Sequence, residues 1–362
     1  MRIFFFIQGE GRGHQTQAIA LYHILQQAGY TVTGAIVGTT PGRGIPTLLQ
    51  QHLPIPMQAL PSPALLYSEK SKALAVWTTF QKNAIQIPHF WQQAKLINTL
   101  INAHKPDVII NFYEMLCGIW RWQFPSKIPI LSVAHQYLLQ HPEFKTPPSR
   151  LVHRSIINNV TRLSAIGTTR KLALSFYEMP DASENAIYVV PPLLRPEVQE
   201  LSPVAEPFLL AYMTHYKLGQ DLEKWCQNHP ETNVLAFWDN PNANDISTPL
   251  PNLTFRRVNA EHFLDAMRRC QGLVSTAGFE SICEAMYLGK PIMLFPTPRH
   301  FEQAVNAYDA ERAGTGIRVT SFLDLDRFLE YLPQYHSVQV SFQNWQHRSN
   351  DLFLKHIKEV TK

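Results

Sequence analysis

The chain has 362 residues, enough for about two domains. It is 45% hydrophobic and only 17% charged, which excludes a mostly disordered polymer. A net charge of +4 with no polybasic tail argues against a dedicated nucleic-acid binder, and none is expected as a partner.

The positive excess is uneven. The first 100 residues hold seven Lys or Arg against two Asp or Glu. An anionic substrate or an anionic membrane surface fits that bias, and so does chance. The apolar run that opens the chain is too short for a signal peptide and lacks a small-residue cleavage site. No stretch reaches the roughly 18 apolar residues of a membrane span. We expect a cytoplasmic protein. Cys117, Cys226, Cys270 and Cys283 form no CxxC pair and no zinc spacing, so buried reduced thiols and no bound metal are expected.

In chain order, Ile3 to Ile7 is a fully apolar run that reads as a buried parallel strand. Gly9, Gly11 and Gly13 supply a turn, Gln15 to Ala28 has helical periodicity, and Gly29 stops it. Tyr30 to Val37 is the next strand. This β-turn-α-β opening predicts a doubly wound α/β sheet. Residues 38–66 are rich in Gly and Pro and read as irregular. Residues 69–103 read as helical with a break at Pro88. Strands are predicted at 106–111, 128–133, 163–166 and 187–190. Residues 191–207 hold five prolines and read as a linker.

The pattern then restarts. Strands are predicted at 208–213, 233–237, 253–256, 272–275 and 291–295. Helices are predicted at 218–226, 263–270, 277–287 and 302–313. The tail, 338–357, reads as amphipathic helix able to brace the first half. The expected domains are therefore 1–195, 196–337 and a helical tail over 338–362.

Three segments carry candidate chemistry. Gly9-Glu10-Gly11-Arg12-Gly13-His14 joins the first strand to the first helix. Its glycines do not follow GxGxxG, and no acid follows about 20 residues on, which argues against a dinucleotide site. His14 at such a junction is a candidate proton acceptor, the alternative being an ordinary capping or packing histidine. The second segment is Ser275-Thr276-Ala277-Gly278-Phe279-Glu280, which leads from a strand into a helix. Its hydroxyls and backbone N–H groups suit a phosphate. Glu280 and Glu284 share a helix face, and one of them at a distance from the phosphate can accept ribose hydroxyls. A plain capped helix is the alternative. In the third segment Arg299, His300, Glu302 and Gln303 follow a strand, a mix that suits sugar hydroxyls or merely caps a helix.

Taken together, these segments resemble the two-domain glycosyltransferases called GT-B. The likeness is to the inverting nucleotide-sugar branch that includes the peptidoglycan-pathway N-acetylglucosaminyltransferase and the macrolide and glucuronosyl transferases. The resemblance implies two Rossmann-like domains facing a central cleft, with the acceptor on the N-terminal side and the donor on the C-terminal side. It implies transfer of a hexosyl or N-acetylhexosaminyl group from a UDP- or dTDP-sugar to an acceptor hydroxyl, with inversion, the donor being a substrate and not a cofactor. By the same resemblance Gly11 to His14 is the loop that brings a base to the acceptor. Ser275, Thr276, Gly278 and Phe279 belong to the diphosphate loop, and Glu284 binds the ribose. His300, Glu302 and Gln303 approximate the motif that grips the donor sugar. The absence of Asp-x-Asp agrees with transfer that needs no metal. Arg12 departs from the small residue usual in the glycine loop. Glu114, near the end of the 106–111 strand, is a candidate partner of His14, although a loop acid with no contact to it is the favoured description. Residues 60–97 interleave Trp77, Phe80 and Trp91 with Lys70, Lys72, Lys82 and Lys95. They are expected to receive an apolar or amphipathic acceptor and at most to rest weakly on a membrane; a pair of packed helices fits equally.

Overall fold

A computed structural model describes residues 1–63, 86–148, 151–213, 218–238, 240, 244–297, 300–321 and 324–362. The chain forms two compact units, Met1–Arg195 with Trp345–Lys362, and Pro196–Asn344.

The first unit is built on a seven-stranded sheet. Its strands are β1 (Arg2–Gln8), β2 (Thr31–Thr39), β3 (Met57–Pro61), β4 (Val108–Phe112), β5 (Ile130–Ala134), β6 (Arg170–Leu174) and β7 (Ile187–Val190). All pairings are parallel, in the order β3-β2-β1-β4-β5-β6-β7. The fully apolar sequence of β1 follows from its central place: Ile3 to Ile7 are buried on both faces. The helices between strands are α1 (Arg12–Gln27), α2 (Thr47–His52), α3 (Ile87–His104), α4 (Met115–Gln123) and α5 (Leu151–Ser164). Helices α3 and α4 cover one face through Phe90, Ile97, Ile101, Leu116 and Trp120 packed on Phe4, Phe6 and Ile109.

Strand order reverses direction between β1 and β4. Ligands of open α/β sheets gather at the carboxyl ends of strands where this happens. The turns leaving β1 and β4 begin at Gly9 and Tyr113.

The second unit repeats the plan with β8 (Phe208–Met213), β9 (Asn233–Trp238), β10 (Ile246–Leu250), β11 (Leu253–Arg257), β12 (Gly272–Ser275), β13 (Ile292–Leu294) and β14 (Gly316–Arg318). The order is β10-β11-β9-β8-β12-β13-β14, with only the β10–β11 pair antiparallel. Its helices are α6 (Pro196–Gln199), α7 (Leu218–Asn228), α8 (Ala260–Arg269), α9 (Phe279–Tyr287), α10 (Phe301–Arg312), α11 (Leu325–Tyr331) and α12 (Gln339–Gln346). Here the order reverses between β8 and β12, and the turn leaving β12 is Thr276–Gly278.

The last helix, α13 (Ser349–Val360), belongs to the first unit. Phe353 and Ile357 are fully buried, and the Trp345 indole donates to Ser175 O at 3.0 Å.

Several expectations change. Residues 38–63 are not wholly irregular, because they carry α2 and the edge strand β3. Residues 64–85, which include Lys70, Lys72, Trp77, Phe80 and Lys82, lie outside the described residues. Residues 69–85 of the helix expected before Pro88 lie outside the described residues, and Pro88 itself stands at the start of a helix. It sits in the first turn of α3, where a missing N–H costs nothing. The strand expected at 163–166 is the end of α5, whose buried Ile157, Thr161 and Ser164 keep helical spacing, and the strand follows at 170–174. Helix α1 starts at Arg12 and α9 at Phe279, earlier and later than predicted. The boundary between the two units falls inside the proline-rich 191–207 segment, whose later part is pinned to the second unit. Val204 N and Glu206 N donate to Arg268 O and Arg269 O, and buried Lys290 donates to Val204 O. Among the described residues no helix is long and apolar enough to cross a membrane. The four cysteines are free and buried.

Candidate functional site

In the first unit the site is built on the glycine turn after β1. Gly11 has φ 81°, a conformation open to glycine and strained for other residues, and it caps α1 without a side-chain hydrogen bond. Gln15 pins the turn by donating from Nε2 to Gly9 O at 2.9 Å and Gly11 O at 2.8 Å. Gly9 N donates to Gly38 O at 2.8 Å, and a side chain at Gly9 would collide with that carbonyl.

His14 lies in the first turn of α1. Its Nδ1 is 3.2 Å from Gln17 Oε1. A carbonyl oxygen only accepts, so Nδ1 carries the proton and Nε2 keeps its lone pair. The ring stacks on Tyr113, centroids 5.3 Å apart and planes 21° apart. Burial lowers the His14 pKa to about 4, opposed by the Gln17 hydrogen bond. Part of the residue still meets solvent, which limits that shift. The imidazole is neutral at pH 7 and competent to take a proton.

Glu114 is buried at the N-cap of α4. Its Oε1 accepts from Leu116 N at 2.9 Å and from the Ser62 hydroxyl. The carboxylate lies against Gly38, where a Cβ would occupy the same space. Desolvation raises its pKa to about 7, against the hydrogen bonds that lower it. The hydrogen bonds of Glu114 run to Ser62 and Leu116 and that of His14 to Gln17, so the two are not hydrogen-bonded to each other. Sequence reasoning missed Tyr113, Ser62 and Gln17. The Asn111-Phe112-Tyr113-Glu114 run leaving a buried strand was the available signal for Tyr113.

In the second unit the turn after β12 is tight. Ser275 and Thr276 are buried, Ala277 is left-handed at φ 62°, and Gly278 caps α9 without a side-chain hydrogen bond. The backbone N–H groups at the start of α9 and the helix dipole favour an anion there. Ser281 donates to Gly278 O at 3.0 Å and lies 3.3 Å from the Ser275 hydroxyl. Asn306 of α10 donates to Ala277 O at 3.1 Å, which ties the two helices at this turn. Phe279 and Glu284 are buried on α9.

The segment before α10 is locally organised. His300 is its N-cap, accepting from Gln303 N at 3.4 Å, and burial lowers its pKa to about 4. Gln303 Oε1 accepts from Thr297 N at 2.8 Å, so half of its amide holds the loop. Glu302 is in the first turn of α10. Arg299 lies outside the described residues. Thus Ser275 to Phe279 and the α10 start are brought together through Asn306, while Gly11, Gly13, His14 and Glu114 are grouped in the other unit. Among the described residues no group of three or more His, Cys, Asp or Glu could hold a metal. A concavity of about 330 Å³ beside the amino ends of β8 and β9, near Asn233, Arg256 and His262, includes none of these residues.

Comparison with known proteins gives one family and one fold. The family described as glycosyl transferase family 1 matches residues 1–334. Curated proteins give no match. Solved structures similar to the whole chain include a glycotransferase of kitacinnamycin at 14% identity, TM-score 0.63 and 98% coverage of both chains. MurG of Acinetobacter baumannii has 14% identity, TM-score 0.60 and 99% coverage of both chains. UGT2 of Phytolacca americana, solved with UDP-2fluoro-glucose and pterostilbene, has 11% identity, TM-score 0.68 and complete coverage of both. At such identities the likeness is one of fold, two Rossmann-like α/β domains of the GT-B kind.

Proposed function

The chain belongs to glycosyl transferase family 1 and is a glycosyltransferase using a nucleotide-sugar, and on that premise we propose how its residues divide the reaction. The donor is a UDP- or dTDP-sugar bound by the second unit, and the acceptor is an apolar or amphipathic molecule bearing a hydroxyl, received by the first. Transfer inverts the anomeric carbon and uses no metal.

The acceptor oxygen attacks the anomeric carbon while its proton passes to His14 Nε2. The bond from that carbon to the diphosphate oxygen breaks, and the nucleoside diphosphate leaves with added negative charge. Ser275, Thr276 and the N–H groups at Gly278 and Phe279 offset that charge. Glu284 accepts from the ribose hydroxyls. Glu302, His300 and the free half of the Gln303 amide orient the sugar. Glu114 shapes the wall of the first site by holding Ser62 and capping α4, and does not act on the imidazole directly. Gly11 and Gly13 let the acceptor approach the backbone.

One observation carries the reading. A neutral histidine with Nδ1 committed to Gln17 sits beside the strand-order reversal of a doubly wound sheet. The test is His14→Ala in the purified enzyme. Loss of general-base catalysis should lower kcat by about 10²- to 10⁴-fold with donor binding unchanged. Turnover within a few-fold of wild type would remove His14 from the mechanism.

A further inference from the structure

A base must be aimed as well as neutral, and Gln17 alone fixes only the tautomer of His14. The plane of the ring is set by something else. Tyr113, the first residue after β4, is one of four non-glycine residues with positive φ among those described, at 59°. For an L-residue that conformation costs on the order of 1 kcal/mol and persists only where the surroundings hold it.

The surroundings are identifiable. The Tyr113 hydroxyl lies 2.7 Å from Thr161 Oγ1 on α5. Thr161 spends its own proton on Ile157 O at 2.8 Å, so Tyr113 is the donor in this pair. Tyr137, whose hydroxyl is 3.1 Å from that of Ser164, packs T-shaped with the Tyr113 ring at 5.9 Å and 68°. The next residue, Glu114, has its N–H held by Asn111 Oδ1 at 2.9 Å, which fixes the reversed backbone from the other side. The buried phenol stacks against the His14 imidazole.

We propose that Tyr113 is a positioning residue for the transfer: anchored through Thr161 and Tyr137 and by its left-handed backbone, its ring is the plate that fixes the plane of His14 and hence the line along which Nε2 meets the acceptor hydroxyl. The proposal rests on the reading of His14 as the base. The titratable groups on the elements packed here include Tyr113, Tyr137 and Glu114, with Cys117 on α4, His135 after β5, and Arg12, Tyr22 and His23 on α1 itself. Burial pushes the Tyr137 hydroxyl up, Glu114 is raised to about 7, and no neighbouring charge enters the His14 shift.

The test reads the imidazole itself and needs no substrate. The full chain is labelled with ¹⁵N-histidine, the His14 resonances are identified by their loss in His14→Gln, and both ring nitrogens are followed with pH. In wild type the Nδ1–H tautomer dominates and the midpoint lies below the ordinary value. Tyr113→Phe keeps the plate but loses its bond to Thr161, and should shift both only slightly. Tyr113→Leu removes it: the tautomers mix, and renewed hydration moves the midpoint upward by about half a pH unit or more. Thr161→Val leaves the ring but frees its hydroxyl, and should give a smaller change in the same direction. It stands in if Tyr113→Leu does not fold. A folded Tyr113→Leu, or failing that Thr161→Val, with wild-type tautomer and midpoint overturns the proposal. Full turnover by His14→Ala would instead remove the base reading while leaving this spectroscopic result standing, so the two failures are distinguishable.

Discussion

His14 and Glu114 are both driven by desolvation toward their neutral forms, one by losing a proton and one by keeping it. The consequences differ in sign. Because the folded His14 pKa is depressed toward about 4, its basic form survives well below pH 6.5. The acid limb of kcat/KM should therefore fall between pH 6.5 and 4, and a limb centred above pH 6.5 would contradict a desolvated neutral base. For Glu114 the folded pKa is raised to about 7 from 4.5. Its stabilising contribution is full below pH 4.5, declines as the unfolded chain ionises, and is gone as pH passes 7. Glu114→Gln keeps the acceptor for Leu116 and Ser62 but does not titrate. Its stability relative to wild type should rise by about 3 kcal/mol from pH 4.5 to 8, measured by urea unfolding at each pH. A pH-independent difference would show that Glu114 is not held neutral.

At the scale of elements, the apolar runs announced the central strands, and β1, β4, β5 and β8 stand where the pattern put them. Edge elements were harder to read. Strand β3 contains Pro61 and follows two prolines, and β10 contains Pro249, so both lack the unbroken apolar signature of a central strand. Helix α4 hid inside Met115-Leu116-Cys117-Gly118-Ile119-Trp120, a run equally readable as core of any kind. The candidate site was legible where glycines and hydroxyls follow a strand, as at Gly11–His14 and Ser275–Gly278. It was not legible where a contact joins distant residues. Ser62 and Glu114 are 52 positions apart, and only the pairing of β3 with β2 brings them together beside Gly38. That junction is tight enough to test. A methyl at Gly38 would overlap the Glu114 carboxylate. Gly38→Ala should cost roughly 1–3 kcal/mol of stability, and part of this should vanish in a background of Glu114→Ala. Strict additivity in thermal unfolding would mean that the two residues do not compete for space.

Across the whole molecule, the same plan occurs twice, a doubly wound sheet with its candidate residues at the carboxyl ends of the strands where order reverses. The chain's last 18 residues return to the first unit. Trp345, Phe353 and Ile357 are buried there, each contributing about 1.5–3 kcal/mol. Truncation after Asn344 should unfold or loosen the first unit, seen as protease cleavage within 1–195, and leave the second unit protected; equal resistance of both would contradict this placement. The central claim, sugar transfer through His14, is tested most directly by product mass. Wild type and His14→Ala are incubated in EDTA with a panel of UDP- and dTDP-sugars and amphipathic hydroxyl acceptors. The account predicts that wild type gives an acceptor heavier by one glycosyl unit together with free nucleoside diphosphate, and that His14→Ala loses that product. Donor that is bound but unchanged, or converted only to an isomer or to free sugar, would contradict it.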